Sequence, residues 1–203
     1  LVVGDHRFVF LTSGDNQHTL IARVSGDRLD TLLLTTELRV EHHGGGLAWH
    51  DGHLLAAIGE GDTGTGRGPG GAGKIVAIDP LTRGFEILAS GLRNPWRIAL
   101  AGDSLWITDA GDRLSEEVDV LDLRHPGADF GWGIAEGTTC TGASCAGVRW
   151  PAYSYATGDG CSTVVGAAWY AEGFWFADYC RRWVSTLDRA GGATRRFDLS
   201  ENI

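Results

Sequence analysis

An all-β chain assembled from one repeated sheet unit is the fold class that three observations predict. Glycine supplies 31 of 203 residues beside eight tryptophans, with no collagen period, a composition that favours many turns between short strands. Tight-turn pairs recur, each followed by an apolar strand and then a polar loop: Gly4-Asp5 before FVFLTSGD, Asp51-Gly52 before LLAAIGEGD, Gly102-Asp103 before LWITDAGD, Glu172-Gly173 before FWFADYC. The turn glycines lie 48, 50 and 71 positions apart, the last gap being widened by a cysteine loop from Gly137 to Gly147. A sheet unit returning every ~40–50 residues predicts the blades of a β-propeller. About four blades are represented, the first and last expected to be incomplete. A β-sandwich, the second choice, needs no such period. The whole chain, 1–203, reads as one domain.

Taken in order, the runs Thr19–Val24, Lys74–Ile78, Val118–Leu121 and Trp183–Leu187 supply further strands. Ile78-Asp79-Pro80 and Leu187-Asp188 read as strand ends passing into turns. The stretch from Glu41 to Asp62 concentrates the chemistry, with paired histidines, a glycine run and two strands around Asp51-Gly52. An antiparallel hairpin returns its second strand to the level where the first began. Glu60 is thereby expected beside His42, 18 positions away in sequence. A histidine against a carboxylate on loops above a rigid sheet is a minimal general-base device.

Net charge is −9, which argues against a nucleic-acid groove or an anionic membrane surface. No apolar run reaches the ~18 residues of a membrane span. The chain contains no methionine and is read as a piece of a longer protein. Four cysteines stand at 140, 145, 161 and 180, a spacing unlike paired CxxC zinc sites. An even count in a loop-rich region points to disulfides and an oxidising, secreted or periplasmic setting. Three pairings are open; Cys140–Cys145 with Cys161–Cys180 is favoured because each closes locally.

Several motifs in order resemble the PQQ-dependent soluble sugar dehydrogenases, the glucose/sorbosone dehydrogenase family. They are His42-x-Gly44-Gly45-x-Leu47 with Gly59-Glu60, then Gly73-Lys74-Ile75 through Asp79-Pro80. Gly91-Leu92-Arg93-Asn94-Pro95 follows, then Thr108-Asp109-Ala110-Gly111 and Asp129-Phe130-Gly131-Trp132. Glu136-Gly137, Gly160-Cys161-Ser162 and Ala177-Asp178-Tyr179-Cys180 complete the series. The resemblance runs from about Phe8 to the end and implies a six-bladed propeller, of which about two blades are absent.

The resemblance further implies oxidation of an aldose at its C1 hydroxyl, with PQQ and Ca2+ as cofactors and an external electron acceptor. His42 would be the base and Glu60 its partner. Arg93 would face the reduced quinone oxygen, with Asn94 and Ala110 beside the cofactor. The backbone carbonyls of Gly111 and Asp112 would bind Ca2+, a hard ion suited to oxygen ligands. Glu116 and Glu117 follow within reach of the same loop. Two other readings stay open: an extracellular propeller that binds partners without catalysis, and a calcium-dependent lactonase using Glu60, Asn94 and Asp109.

Other motifs carry less. His43 and His50 bracket a strand and should sit ~23 Å apart at ~3.3 Å per residue, too far to share zinc. GEGDTGTGRGPGGAGK imitates a phosphate cradle, but Lys74 opens a strand where a P-loop needs Ser or Thr and a helix. It reads as an inter-strand loop. Trp132, Trp150, Trp169 and Trp175 are expected in blade cores.

Overall fold

The computed structural model describes residues 1–35, 41–62, 64 and 72–199. Most of the glycine-rich loop between Gly59 and Gly73, and the terminal Glu201-Asn202-Ile203, lie outside them. Among the described residues every regular element is a strand. The first sheet contains β1 (Val2–Val3), β2 (His6–Thr12), β3 (Thr19–Ser25) and β4 (Arg28–Leu34). The second contains β5 (Gly44–His50), β6 (His53–Ile58), β7 (Lys74–Ile78) and β8 (Phe85–Ser90). The third begins with β9 (Pro95–Ala101), β10 (Ser104–Asp109) and β11 (Ser115–Asp122). Three two-residue strands follow, β12 (Ala128–Asp129), β13 (Ala135–Glu136) and β14 (Thr139–Cys140), before β15 (Tyr153–Ala156) completes that sheet. β12 joins the outer edge of the second sheet in parallel, and β13 pairs with β14. The fourth sheet is β16 (Val164–Tyr170), β17 (Gly173–Asp178), β18 (Trp183–Leu187) and β19 (Ala193–Asp198).

The first and last sheets, expected to be incomplete, have four strands each, although β1 is only two residues long. The repeat had exposed the turn and second strand of every blade. Outer strands β4, β8 and β19 were not apparent, because the exposed edge of a blade needs no regular apolar alternation. β19 is exposed at all six positions.

Alternation along the second strand of each blade assembles the core. On β6, Leu54, Ala56 and Ile58 pack with Phe8, Ile21 and Leu32 of the first blade, while Leu55 and Ala57 pack toward Ile98, Leu105 and Ile107 of the third. On β10, Trp106 turns the other way, meeting Val164, Phe174, Phe176 and Trp183 of the fourth blade. Successive side chains thus serve opposite sheet faces. A strand covered on both faces reads as a continuous apolar run, as LLAAI does. Burying one such Leu or Ile contributes roughly 1.5–3 kcal/mol.

The β5–β6 hairpin turns at Asp51-Gly52, with φ of 45° and 80°. Two left-handed residues give the turn whose twist suits adjoining strands, and they set the register His50↔His53 through Gly46↔Ala57, after which a bulge at Gly45 shifts it to Gly44↔Ile58. Both favoured disulfides are present, Cys140–Cys145 and Cys161–Cys180, with Cα atoms 5.8 and 5.5 Å apart.

Candidate functional site

The hairpin register, continued two residues past Gly44↔Ile58, sets His42 opposite Glu60. The His42 Nδ1 atom lies 3.1 Å from Glu60 Oε1 and 2.7 Å from Asp62 Oδ1. Loop 59–62 folds onto the histidine: the Gly61 amide donates to the His42 carbonyl at 3.1 Å and the Gly59 amide to that of His43 at 3.0 Å. A Cβ on Gly59 would collide with the His42 carbonyl, so this approach needs glycine. Glu60 is almost fully buried and accepts the amides of Asp62 at 3.1 Å and Gly64 at 2.7 Å. His42 itself sits at φ 55°, a left-handed conformation that costs a residue with a Cβ about 1–2 kcal/mol and that packing of this loop must offset.

The loop between β8 and β9 presents Arg93 and Asn94 from the neighbouring blade. Their amides both donate to the buried Asp109 carboxylate, at 2.9 and 2.6 Å. The Asn94 Oδ1 accepts the Gly44 amide at 3.1 Å, and the Glu60 amide donates to the Arg93 carbonyl at 2.8 Å. The His42 and Arg93 motifs are therefore one bonded unit. Arg93 Nη1 donates to the carbonyls of Ala110 and Gly111 at 3.1 and 2.5 Å, and Nη2 lies 3.4 Å from Asp112 Oδ1. The guanidinium stacks over Trp132, 5.2 Å from its ring centre. Trp132, expected in a blade core, belongs to this site instead.

The turn after β10 is shaped by Glu136. Its Oε1 accepts the amides of Asp112, Arg113, Leu114 and Ser115 at 2.8, 2.8, 2.9 and 3.2 Å. Glu116 accepts the amides of Gly111 at 3.3 Å and Val164 at 3.0 Å; Glu117 accepts that of Gly137. These two acids thus brace loops. Beneath them Asp109, Glu117 and Asp119 bring carboxylate oxygens within 4.8 Å of one another, all three buried. Burial, followed for each by repulsion from neighbouring carboxylates, pushes Glu117 and Asp119 well above the usual carboxylate range. Burial raises Asp109 to about 7 against the pull of its two amide donors. Among the described residues neither Asp119 oxygen has a hydrogen-bond partner.

The expected site residues His42, Glu60, Arg93, Asn94, Ala110, Gly111 and Asp112 lie in this one loop cluster. Asp62 and the bracing role of Glu136 were not apparent in the sequence. Asp62 stands two positions beyond Glu60, but only the left-handed Gly61 and Asp62, φ 61° and 57°, turn it back to the imidazole. As for cofactor fit, the carbonyls of Ala110 and Gly111 with the Asp112 carboxylate already hold a cation, the Arg93 guanidinium. Such oxygen donors suit a hard cation. Arg93 Nε, a buried donor without a partner among the described residues, suits an anionic oxygen.

Four successive sheets of mainly antiparallel strands, each packed against the next, are the blades of a β-propeller. No protein-family model matches the chain, and no curated protein matches it in sequence. Among solved structures, the PQQ-bound aldose sugar dehydrogenase of Streptomyces coelicolor is similar, with TM-score 0.75 and 23% identity over 96% of this chain and 62% of that one. A provisionally assigned oxidoreductase (glucose dehydrogenase) of Thermus thermophilus is similar at TM-score 0.71 and 18% identity, over 95% and 66% of the two chains. A chain of a nidogen/laminin complex shares the fold more loosely, at TM-score 0.56 and 15% identity. The chain thus spans just under two thirds of the length of the two dehydrogenases it matches.

Proposed function

We propose that this chain carries the catalytic half of a PQQ-dependent sugar dehydrogenase of the glucose/sorbosone type. The observation that carries the reading is the bonded union of His42–Glu60 from one blade with Arg93–Asn94 from the next. A base and a cation converging from adjacent blades match what oxidation of an alcohol needs, a proton acceptor and a group that stabilises developing negative charge. His42 takes the proton of an aldose C1 hydroxyl as hydride leaves C1, and Glu60 stabilises the resulting imidazolium. PQQ, when bound, supplies the hydride acceptor, and an external acceptor removes the electrons afterwards. Arg93, through Nε and the stacked guanidinium, binds the cofactor's anionic oxygens, with Asn94 and Ala110 lining the same loop. Gly111 and Asp112 would hold Ca2+ through their carbonyls, which requires Arg93 to release the Gly111 oxygen. Two disulfides support a secreted or periplasmic setting. Among the described residues no helix is long and apolar enough to cross a membrane.

Dye reduction with a panel of aldoses, with and without PQQ and Ca2+, tests this reading. Reduction that requires PQQ, and that falls by about 100-fold or more in His42→Ala, is the expected result. Equal rates without PQQ, or in the variant, would refute it.

A further inference from the structure

We infer that Asp109, Glu117 and Asp119 form a buried calcium site between the second and third sheets, separate from the carbonyls of Gly111 and Asp112. Antiparallel pairing sets Asp109 of β10 directly opposite Glu117 of β11, and Asp119 lies two residues farther along β11. Side chains two apart share a face, so the hairpin gathers three acids on one side. That side is the apolar one: Leu105, Ile107 and Leu121 on it pack with Leu88, Ala89, Leu92 and Phe130. Val118, between the two acids of β11, turns the other way, toward Val164 and Phe176. Alternation thus calls for leucine or valine where this chain has carboxylates, and like charges set opposite one another are unfavourable.

The donors present do not answer this charge. Asp109 receives the amides of Arg93 and Asn94, and Glu117 gives Oε1 to the amide of Gly137. Asp119 is 0% exposed, and among the described residues neither of its oxygens has a hydrogen-bond partner. It is nonetheless aimed into the group: one oxygen from each of the three acids lies within 4.8 Å of the others. Calcium binds carboxylate oxygens at about 2.3–2.6 Å, so oxygens on one coordination sphere stand up to about 5 Å apart. The three acids fit such a sphere and supply the hard anionic donors that this ion takes. Asp109 and Glu117 also line a cavity of about 10 Å³ with Arg93, Gly111 and Trp132, room for roughly one water-sized species. A divalent cation there gives Asp119 the partner that no protein donor provides.

The test uses the full chain, freed of metal by chelation and without PQQ, with Ca2+ itself as the probe. Calorimetric titration should show Ca2+ binding to wild type, and the thermal midpoint should rise as Ca2+ is added. Asp119→Asn keeps the shape and removes one charged ligand, so its Ca2+ affinity should fall by about tenfold or more. Glu117→Gln should weaken binding likewise, and it decides the matter if Asp119→Asn does not fold. Asp112→Ala alters the neighbouring turn at a half-exposed side chain and should leave the affinity within about twofold. Absence of Ca2+ binding in wild type, or wild-type affinity in Asp119→Asn and Glu117→Gln, would overturn the proposal. Loss confined to Asp112→Ala would put the ion at the turn and overturn it as well. Dye reduction plays no part in this readout, so the calcium site and the dehydrogenase reading can fail separately.

Discussion

Asn94 accepts the Gly44 amide across the boundary between two blades, at 3.1 Å, while its own amide donates to Asp109 at 2.6 Å. One side chain thereby ties the loop before β5 to the loop before β9. It sets the distance between the histidine and the arginine. Asn94→Leu keeps the volume but strands the Gly44 amide, and should cost about 1–3 kcal/mol, read as a fall in thermal midpoint. Asn94→Asp retains an acceptor and should recover part of the loss. Equal stability of the leucine variant and wild type would show that the link carries no load.

Glu136 gathers four consecutive amides on one oxygen. Bonds to a charged acceptor are each worth roughly 1.5–3 kcal/mol, with less than additive sums for neighbours. Glu136→Ala should therefore destabilise by about 3 kcal/mol or more, and Glu136→Gln by less, since one oxygen remains. Denaturant midpoints should rank wild type above Gln and Gln above Ala.

How far the sequence carried the site depends on the distance over which each contact acts. The His42–Glu60 pairing was legible because a two-residue turn at Asp51-Gly52 returns the second strand to the level where the first began; the bulge at Gly45, which shifts the register by one and sets His42 rather than His43 opposite Glu60, was not. The blade repeat was legible because β6 and β10 are covered on both faces and marked by turn glycines. By contrast, Glu136 reaches 112–115 through irregular loops 21 to 24 positions away, with no periodicity to mark the approach. Asp62 depends on two left-handed residues after Glu60, which a GEGD string permits but does not dictate. Arg93 was expected to face a cofactor; that its guanidinium also donates to the Ala110 and Gly111 carbonyls is marked by no motif, since carbonyl dipoles left open after β10 attract the nearest cation.

The buried acids predict an unusual pH response. Asp109 is raised from an ordinary 3.8 to about 7, so between those values the folded chain holds a proton that the unfolded chain has released. Unfolding then releases a proton, and stability falls as pH rises through that window. The raised Glu117 and Asp119 act in the same direction. Asp119→Asn removes one buried charge whose oxygens have no partner among the described residues. It should raise the thermal midpoint more at pH 8 than at pH 5. A larger gain at pH 5 would contradict the assignment of raised acidities.

The Cys161–Cys180 bridge closes a loop with a sequence separation of 19. Chain-entropy arguments put its contribution at about 3 kcal/mol. Cys161→Ser with Cys180→Ser should lower the thermal midpoint by roughly 6–12 °C for a chain of this size. An unchanged midpoint would assign the bridge no stabilising role.

The central claim is that His42 and Arg93 act together on a quinone-linked oxidation. The most direct measurement is a single turnover: anaerobic mixing of PQQ-loaded protein with an excess of aldose, following bleaching of the bound quinone. The account predicts bleaching with wild type, slowing by about 100-fold or more in His42→Ala at unchanged PQQ occupancy, and weakened PQQ retention in Arg93→Ala. Bleaching at the wild-type rate in His42→Ala, or full PQQ retention in Arg93→Ala, would contradict it.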